Sequence, residues 1–171
     1  MEIRSWHGKG FEIEEEPGFH HASWHVQRIA WSILALALLA ALLGAVGGGG
    51  PLAKAEATGG PADPVVEHER FPHYSAPSTL RVRVPADTAR NGEVRLRVDR
   101  RYIDGVRVES VTPSPTRVEA GGDELVYVFA AGTSRPTELV FRLHMNTIGR
   151  VSGAVALGTR APVRFTQFVF P

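Results

Sequence analysis

Residues Ile29 to Ala53 constrain this chain more than any other feature: 25 consecutive positions carry no formal charge. The first 18, Ile29 to Val46, are almost purely apolar. At 1.5 Å per residue they reach about 27 Å as a helix. The glycines and Pro51 that follow cover the rest of a roughly 30 Å hydrocarbon core. The run predicts one transmembrane helix over residues 29–50, ended by Gly47 to Gly50 and Pro51, which remove helix propensity and block continuation. It divides the chain into a tail (1–28), a Gly/Pro/Ala-rich tether (51–64) and a C-terminal domain (65–171).

A cleaved signal peptide is the competing reading, since Ala53-Lys54-Ala55 and Ala55-Glu56-Ala57 both have the small-x-small form of a cleavage site. Against it, 28 residues with five acids precede the apolar run, whereas a signal n-region is short and basic. An uncleaved anchor is therefore expected. Arg4, Lys9 and Arg28 precede the run, and only Lys54 closely follows it. That bias places the N-terminus inside and the C-terminal domain outside the cytoplasm.

Trp24 and Trp31 are seven apart, so on one helix they share a face near the headgroups. With Arg28 they form the expected membrane-interface anchor. Ala37, Ala41 and Ala45, like Ala40 and Gly44, are four apart and would form small strips that let another helix approach closely. Alanine is also simply common in such helices.

From Val65 the apolar period becomes two. Leu80-Arg-Val-Arg-Val84 and Val94-Arg-Leu-Arg-Val98 alternate strictly, with the turn signal Asn91-Gly92 between them. Further short strands are expected at 65–71, 106–111, 124–129, 138–144, 151–157 and 163–170, about eight in all. The region holds roughly 105 residues, enough for one real core. The fold class predicted is a membrane-anchored all-β chain: one N-terminal transmembrane helix, then an Ig-like β-sandwich. Its core should contain Leu80, Val82, Val84, Val94, Leu96, Val98, Leu125, Tyr127, Phe129, Leu139, Phe141, Leu143, Val155, Leu157, Val163 and Phe165. Parity slips between Phe165 and Phe168, which predicts a bulge near Thr166-Gln167. The alternative turns Phe168 and Phe170 outward to a partner.

No motif carries chemistry. The chain has no cysteine, so disulfides, thiolate catalysis and cysteine-held metals are excluded. His68-Glu69-Arg70-Phe71-Pro72-His73 has one residue too many for a zinc-protease helix, and its proline opposes the helix. His20, His21 and His25 read as a solvated tail. No histidine lies between Ile29 and Val46, so a haem or pigment ligand inside the bilayer is missing from this chain. Nucleophile elbows, P-loops and dinucleotide fingerprints are absent. The enzyme that could still hide here would assemble from His68, His73, Asp99 and His144. The expectation is no catalysis, no cofactor and no metal. A net charge of +1 gives no general case for nucleic acid.

Arginine is the remaining unusual feature. Arg81, Arg83, Arg95 and Arg97 alternate with core positions on two strands expected to be adjacent. Paired, they would make a guanidinium ladder on one face, a costly arrangement unless an anion faces it. Lipid phosphates, a partner's acids, or Glu93, Asp99 and Glu109 of the same domain are candidates. A solvated face that blunts edge pairing is the alternative.

Val26-Gln-Arg-Ile-Ala-Trp31, Gly48-Gly-Gly-Pro-Leu52, Glu69-Arg-Phe-Pro-His-Tyr74 with Ala76-Pro77, Thr112-Pro-Ser-Pro115 and Phe165-Thr-Gln-Phe-Val-Phe-Pro171 occur together. In combination they resemble an uncharacterised family of small bacterial single-pass membrane proteins with a short cytoplasmic tail and a β-rich extracytoplasmic domain. The resemblance supports topology and fold, and carries over no catalytic residue. The function expected is a non-catalytic accessory subunit that stabilises a larger integral-membrane complex, with a photosynthetic or respiratory energy-transducing complex as the expected host and other membrane subunits and lipid headgroups as partners. No small-molecule substrate is expected. The alternative is an extracytoplasmic ligand- or protein-binding module serving a transporter or channel.

Overall fold

The computed structural model describes residues 17–44, 50, 52–130 and 137–171, with the backbone alone at 17–23 and 87. The chain divides between Leu38 and Leu39 into two compact units. Helix α1 runs Pro17–Leu42, 26 residues. Proline suits a helix start, where its missing N–H is not needed. From Phe19 to Arg28 no glycine or proline interrupts the chain, so the helix begins twelve residues before the expected Ile29. Its stretch Trp24–Leu42 is 19 residues long, apolar enough to cross a membrane, and unburied.

The helix also ends earlier than residue 50. Leu43 N–H still bonds the Leu39 carbonyl (3.0 Å) and Gly44 N–H the Ala41 carbonyl (3.0 Å). Gly44 then takes φ +88°, a left-handed turn open to glycine without strain. It is a helix stop and not part of a packing strip, so the Ala40–Gly44 strip is lost. Ala45 lies outside the described residues, as does the tail 1–16.

Among the described residues ten strands follow: β1 (Lys54–Ala57), β2 (Val65–Glu69), β3 (Pro77–Val84), β4 (Glu93–Asp99), β5 (Val106–Thr112), β6 (Arg117–Gly121), β7 (Glu124–Ala130), β8 (Thr137–Met145), β9 (Gly149–Leu157) and β10 (Val163–Val169). A short helix α2 (Arg100–Asp104) joins β4 to β5. One sheet has the order β1-β2-β3-β8-β5, the other β10-β9-β4-β7-β6. Every named strand pair is antiparallel. The two sheets share one core, in which Leu80, Val82, Leu139 and Phe141 of the first meet Leu96, Val98, Phe129 and Leu157 of the second. The expected core positions are buried except Leu125, which is half-buried and packed against the rest.

Four expectations need correction. The expected tether contains β1, paired with β2 from Lys54↔Glu69 to Ala57↔Val66. Its composition reads as linker, yet Ala55 and Ala57 alternate with exposed Lys54 and Glu56. Strand β6 carries no alternation signal because it buries no apolar face. Third, β3 and β4 are not adjacent: they belong to different sheets. Asn91 (φ +54°) and Gly92 (φ +76°) do form a tight turn, closed by two hydrogen bonds between Arg90 and Glu93. That turn only starts β4, after a 3-10 turn at Ala86–Thr88 has carried the chain across.

Fourth, β10 has no bulge. Its register to β9 is continuous from Val163↔Val155 to Val169↔Gly149. Gln167 keeps inward parity, and Phe168 faces out, 46% exposed. After Glu69 the chain leaves the first sheet and runs beside β10. Phe168 N–H donates to the Arg70 carbonyl (2.8 Å), Phe170 N–H to the Pro72 carbonyl (2.9 Å), and Tyr74 N–H to the Phe170 carbonyl (2.7 Å).

Candidate functional site

The four arginines singled out by their alternation lie on two different outer faces, each beside a carboxylate from another strand of its own sheet. On the first sheet Arg81 meets Glu138 (3.2 Å), and Arg83 meets Glu56 (3.0 Å) and Glu67 (3.3 Å). On the second, Arg95 pairs with Glu119, and Arg97 with Glu124 (3.4 Å) and the Arg160 carbonyl (2.9 Å). Arg117 forks onto Glu93 (2.8 and 3.0 Å) and also bonds Glu119 (2.8 Å). These bonds hold the Glu93 and Glu119 carboxyls below the usual carboxylate range. Arg95 and Arg117 are the register neighbours of Val128, which is fully buried although its parity is outward. Their aliphatic stems provide a cover while the charged heads stay in water. Of the other acids offered as partners, Asp99 caps α2 by accepting from Arg101 N–H (2.9 Å), and Glu109 meets His144. The faces therefore carry their own counter-charges, and no external anion is needed to hold these arginines side by side.

The histidines do not converge. His68 faces the core from β2, 5% exposed, with its ring 5.0 Å from that of Phe165. Burial pushes its pKa down. His73 stands 5.9 Å from the Phe170 ring. His144 lies 2.9 Å from Glu109 through Nε2 and 3.0 Å from the Ser75 carbonyl through Nδ1. A carboxylate-oriented imidazole needs a nucleophile on its other nitrogen to do acyl chemistry, and here that nitrogen meets a backbone oxygen. The grooves along β2 hold His68 or His73 but never both. Among the described residues no three His, Cys, Asp or Glu side chains gather as a metal would require.

A buried polar chain crosses one end of the core. Tyr102 Oη donates to Gln167 Oε1 (3.0 Å), and Gln167 Nε2 donates to the Glu69 carbonyl (2.8 Å). Both side chains are buried, and burial pushes the Tyr102 phenol far above its ordinary value. The chain of hydrogen bonds ties α2, β10 and β2 together.

On α1 the Arg28 guanidinium sits 4.6 Å above the Trp24 ring, a cation–π geometry. Trp31 is 63% exposed. Ala37 and Ala41 are exposed, and Ala40 is half-buried.

One surface escaped the sequence reading in part. At the pole where the chain enters the two-sheet domain, Phe168 and Phe170 meet at 5.2 Å, and Phe71 lies 6.0 Å from Phe170. Tyr74, three residues after Phe71, and Ile148, next to the Gly149 that pairs with Val169, are exposed. A shallow groove of about 270 Å³ opens there between Ala55 and His68 on one side and Thr166 to Phe168 on the other, with Arg70 and Arg150 at its edge. Arg150 is the register partner of Phe168. Outward Phe168 is the sequence's alternative to a bulge, whereas Arg70 carries no sequence signal, because only the fold brings it to β10. No protein-family model and no curated protein matches the chain.

Proposed function

We propose that this chain is a membrane-anchored, non-catalytic accessory subunit of a larger integral-membrane complex. The observation that carries the reading is the uncovered apolar surface of α1. Ile29, Ile33, Leu36, Leu38 and Leu42 are each at least 58% exposed, and from Trp24 to Leu42 none of the span is buried. Such a surface needs lipid or other helices around it. Trp24, Arg28 and Trp31 would hold one end at the headgroups, and Ala37 and Ala41 would let a neighbouring helix approach. The membrane is the bacterial inner membrane, with the tail in the cytoplasm and the two-sheet domain in the periplasm, in keeping with the resemblance to small bacterial single-pass proteins. The host is an energy-transducing complex, photosynthetic or respiratory, in which a chain without a histidine from Ile29 to Val46 serves as a scaffold and not as a haem or pigment carrier.

The domain reads as an Ig-like sandwich. Strands β2-β3-β8-β5 stand where A-B-E-D would, and β10-β9-β4 where G-F-C would, with β7 and β6 added beside β4. It has neither the cysteine pair nor the core tryptophan of antibody domains, since all three tryptophans precede residue 32. Domains of this architecture serve many roles, so the role must rest on surfaces. A second reading, a ligand- or protein-binding module, is favoured by the exposed Phe168 and Tyr74.

Extraction of the tagged full chain from native membranes in mild detergent tests the first reading. It should co-purify with integral-membrane proteins, and deleting residues 1–17 should loosen that association while the domain stays folded. A monomer that co-purifies with nothing would end the reading.

A further inference from the structure

The accessory-subunit reading leaves the aromatic pole unused. Phe168 is 46% exposed, Tyr74 48% and Ile148 56%, an unusual density of bare apolar side chains for one end of a small domain. Two cations edge it. Arg70 and Arg150 line the groove beside Phe168, and neither has an ion pair among the described residues, in contrast to Arg81, Arg83, Arg95, Arg97 and Arg117. Chain continuity fixes which pole this is. Arg70 N–H bonds the carbonyl of Ala53 (2.7 Å), where the chain enters the domain, and Ala53 lies eleven residues beyond the end of α1. Leu52 N–H in turn bonds the carbonyl of Leu43 (3.0 Å), the first residue past that helix.

We propose that this pole is a lipid-docking surface: Phe168, Phe170, Tyr74 and Ile148 enter the headgroup layer, and Arg70 and Arg150 bind anionic lipid phosphates. The proposal rests on the reading of α1 as a membrane anchor. Bare aromatics flanked by unpaired cations are the chemistry of a membrane interface, where rings sit at headgroup level and guanidinium groups meet phosphate. Arg81, Arg83, Arg95, Arg97 and Arg117, by contrast, face carboxylates of their own sheets. Docking at the pole is intramolecular once α1 is inserted, so modest contacts suffice. Each arginine near an anionic surface contributes about fivefold to the docked-to-undocked ratio, and the pair about 25-fold.

The chain has no cysteine, so single introduced cysteines report cleanly. Full-length protein would carry a nitroxide at Pro171→Cys on the pole, at Thr159→Cys on the opposite end, or at Ala37→Cys in α1. It would be placed in nanodiscs of zwitterionic lipid with one third anionic lipid. Expected is a lipid-like ratio of oxygen to water-soluble nickel collision at 37 and an interfacial one at 171, with position 159 aqueous. Arg70→Glu with Arg150→Glu, Phe168→Ser, or removal of anionic lipid should return 171 to the aqueous pattern. If 37 reads lipid while 171 reads water in anionic nanodiscs, the docking proposal is overturned and the anchor stands. Interfacial readings at 171 that persist in all three perturbations overturn it too, as does shielding that appears only with native membrane proteins present. If 37 itself reads water, the anchor reading fails and the docking proposal falls with it.

Discussion

Gly153→Ala places one methyl group where two aromatic rings close. A Cβ at this position would lie 2.6 Å from Phe165 Cζ and 2.9 Å from Tyr102 Cδ2, well inside ordinary contact. Neither ring has room to yield. Tyr102 is fully buried and tied to Gln167 through its hydroxyl, and Phe165 is held edge-on to Tyr102 at 5.0 Å and against His68 at 5.0 Å. Overpacking of this kind costs about 1–3 kcal/mol. Replacing a strand glycine returns about 0.5–1 kcal/mol through the unfolded chain. The net loss is about 1–2 kcal/mol, which for a domain of this size lowers the melting midpoint by roughly 5–15 °C. Thermal unfolding of the full chain in mild detergent, followed in the strand region of the circular dichroism spectrum, reads this directly. Adding Phe165→Leu removes the clashing ring atom, so the double variant should lose less than the sum of the two single losses. A Gly153→Ala protein that melts at or above the parent temperature would refute the packing argument.

Tyr102→Phe leaves Gln167 Oε1 buried without its donor and should cost about 1–2 kcal/mol in urea unfolding; an unchanged midpoint would show that the hydroxyl does not bind there. His68 has a folded pKa below its unfolded value because burial disfavours imidazolium. Its contribution to stability is therefore complete above about pH 6.5 and is lost as pH falls through the folded value. Between pH 7 and 5 the parent should lose stability more steeply than His68→Phe, and parallel curves would contradict this. Arg117→Ala should move the Glu93 and Glu119 titrations upward by NMR, since Arg117 is the main cause of their lowering; titrations that stay in place would remove that assignment.

Alternation made the faces of the strands legible but not their partners. Leu80-Arg-Val-Arg-Val84 and Val94-Arg-Leu-Arg-Val98 were readable as strands with Leu and Val inward, because a period of two is a property of one strand. Their assignment to one arginine ladder failed, because pairing depends on where the connecting segment leads, and Ala86–Thr88 leads to the other sheet. Gln167 was obscured by its polarity: an inward glutamine breaks an apolar pattern although the register runs on unbroken. The aromatic pole was half legible. Outward Phe168 follows from parity. Its meeting with Arg70 depends on the chain changing sheets after Glu69, and the two segments are separated by 98 residues, as Glu69 is from Gln167. The charge-free run marked the helix, while its true limits were set by the absence of a breaker before Ile29 and by Gly44.

The central claim is an anchored chain with its tail inside and its two-sheet domain outside. Single cysteines at Ser5 and Thr159 test it in right-side-out spheroplasts with a membrane-impermeant maleimide. The account predicts labelling of 159 on intact spheroplasts and of 5 only after permeabilisation, with the protein retained in the membrane through an alkaline carbonate wash. Labelling of 5 with 159 protected, or release of the full-length chain into the wash, would contradict it.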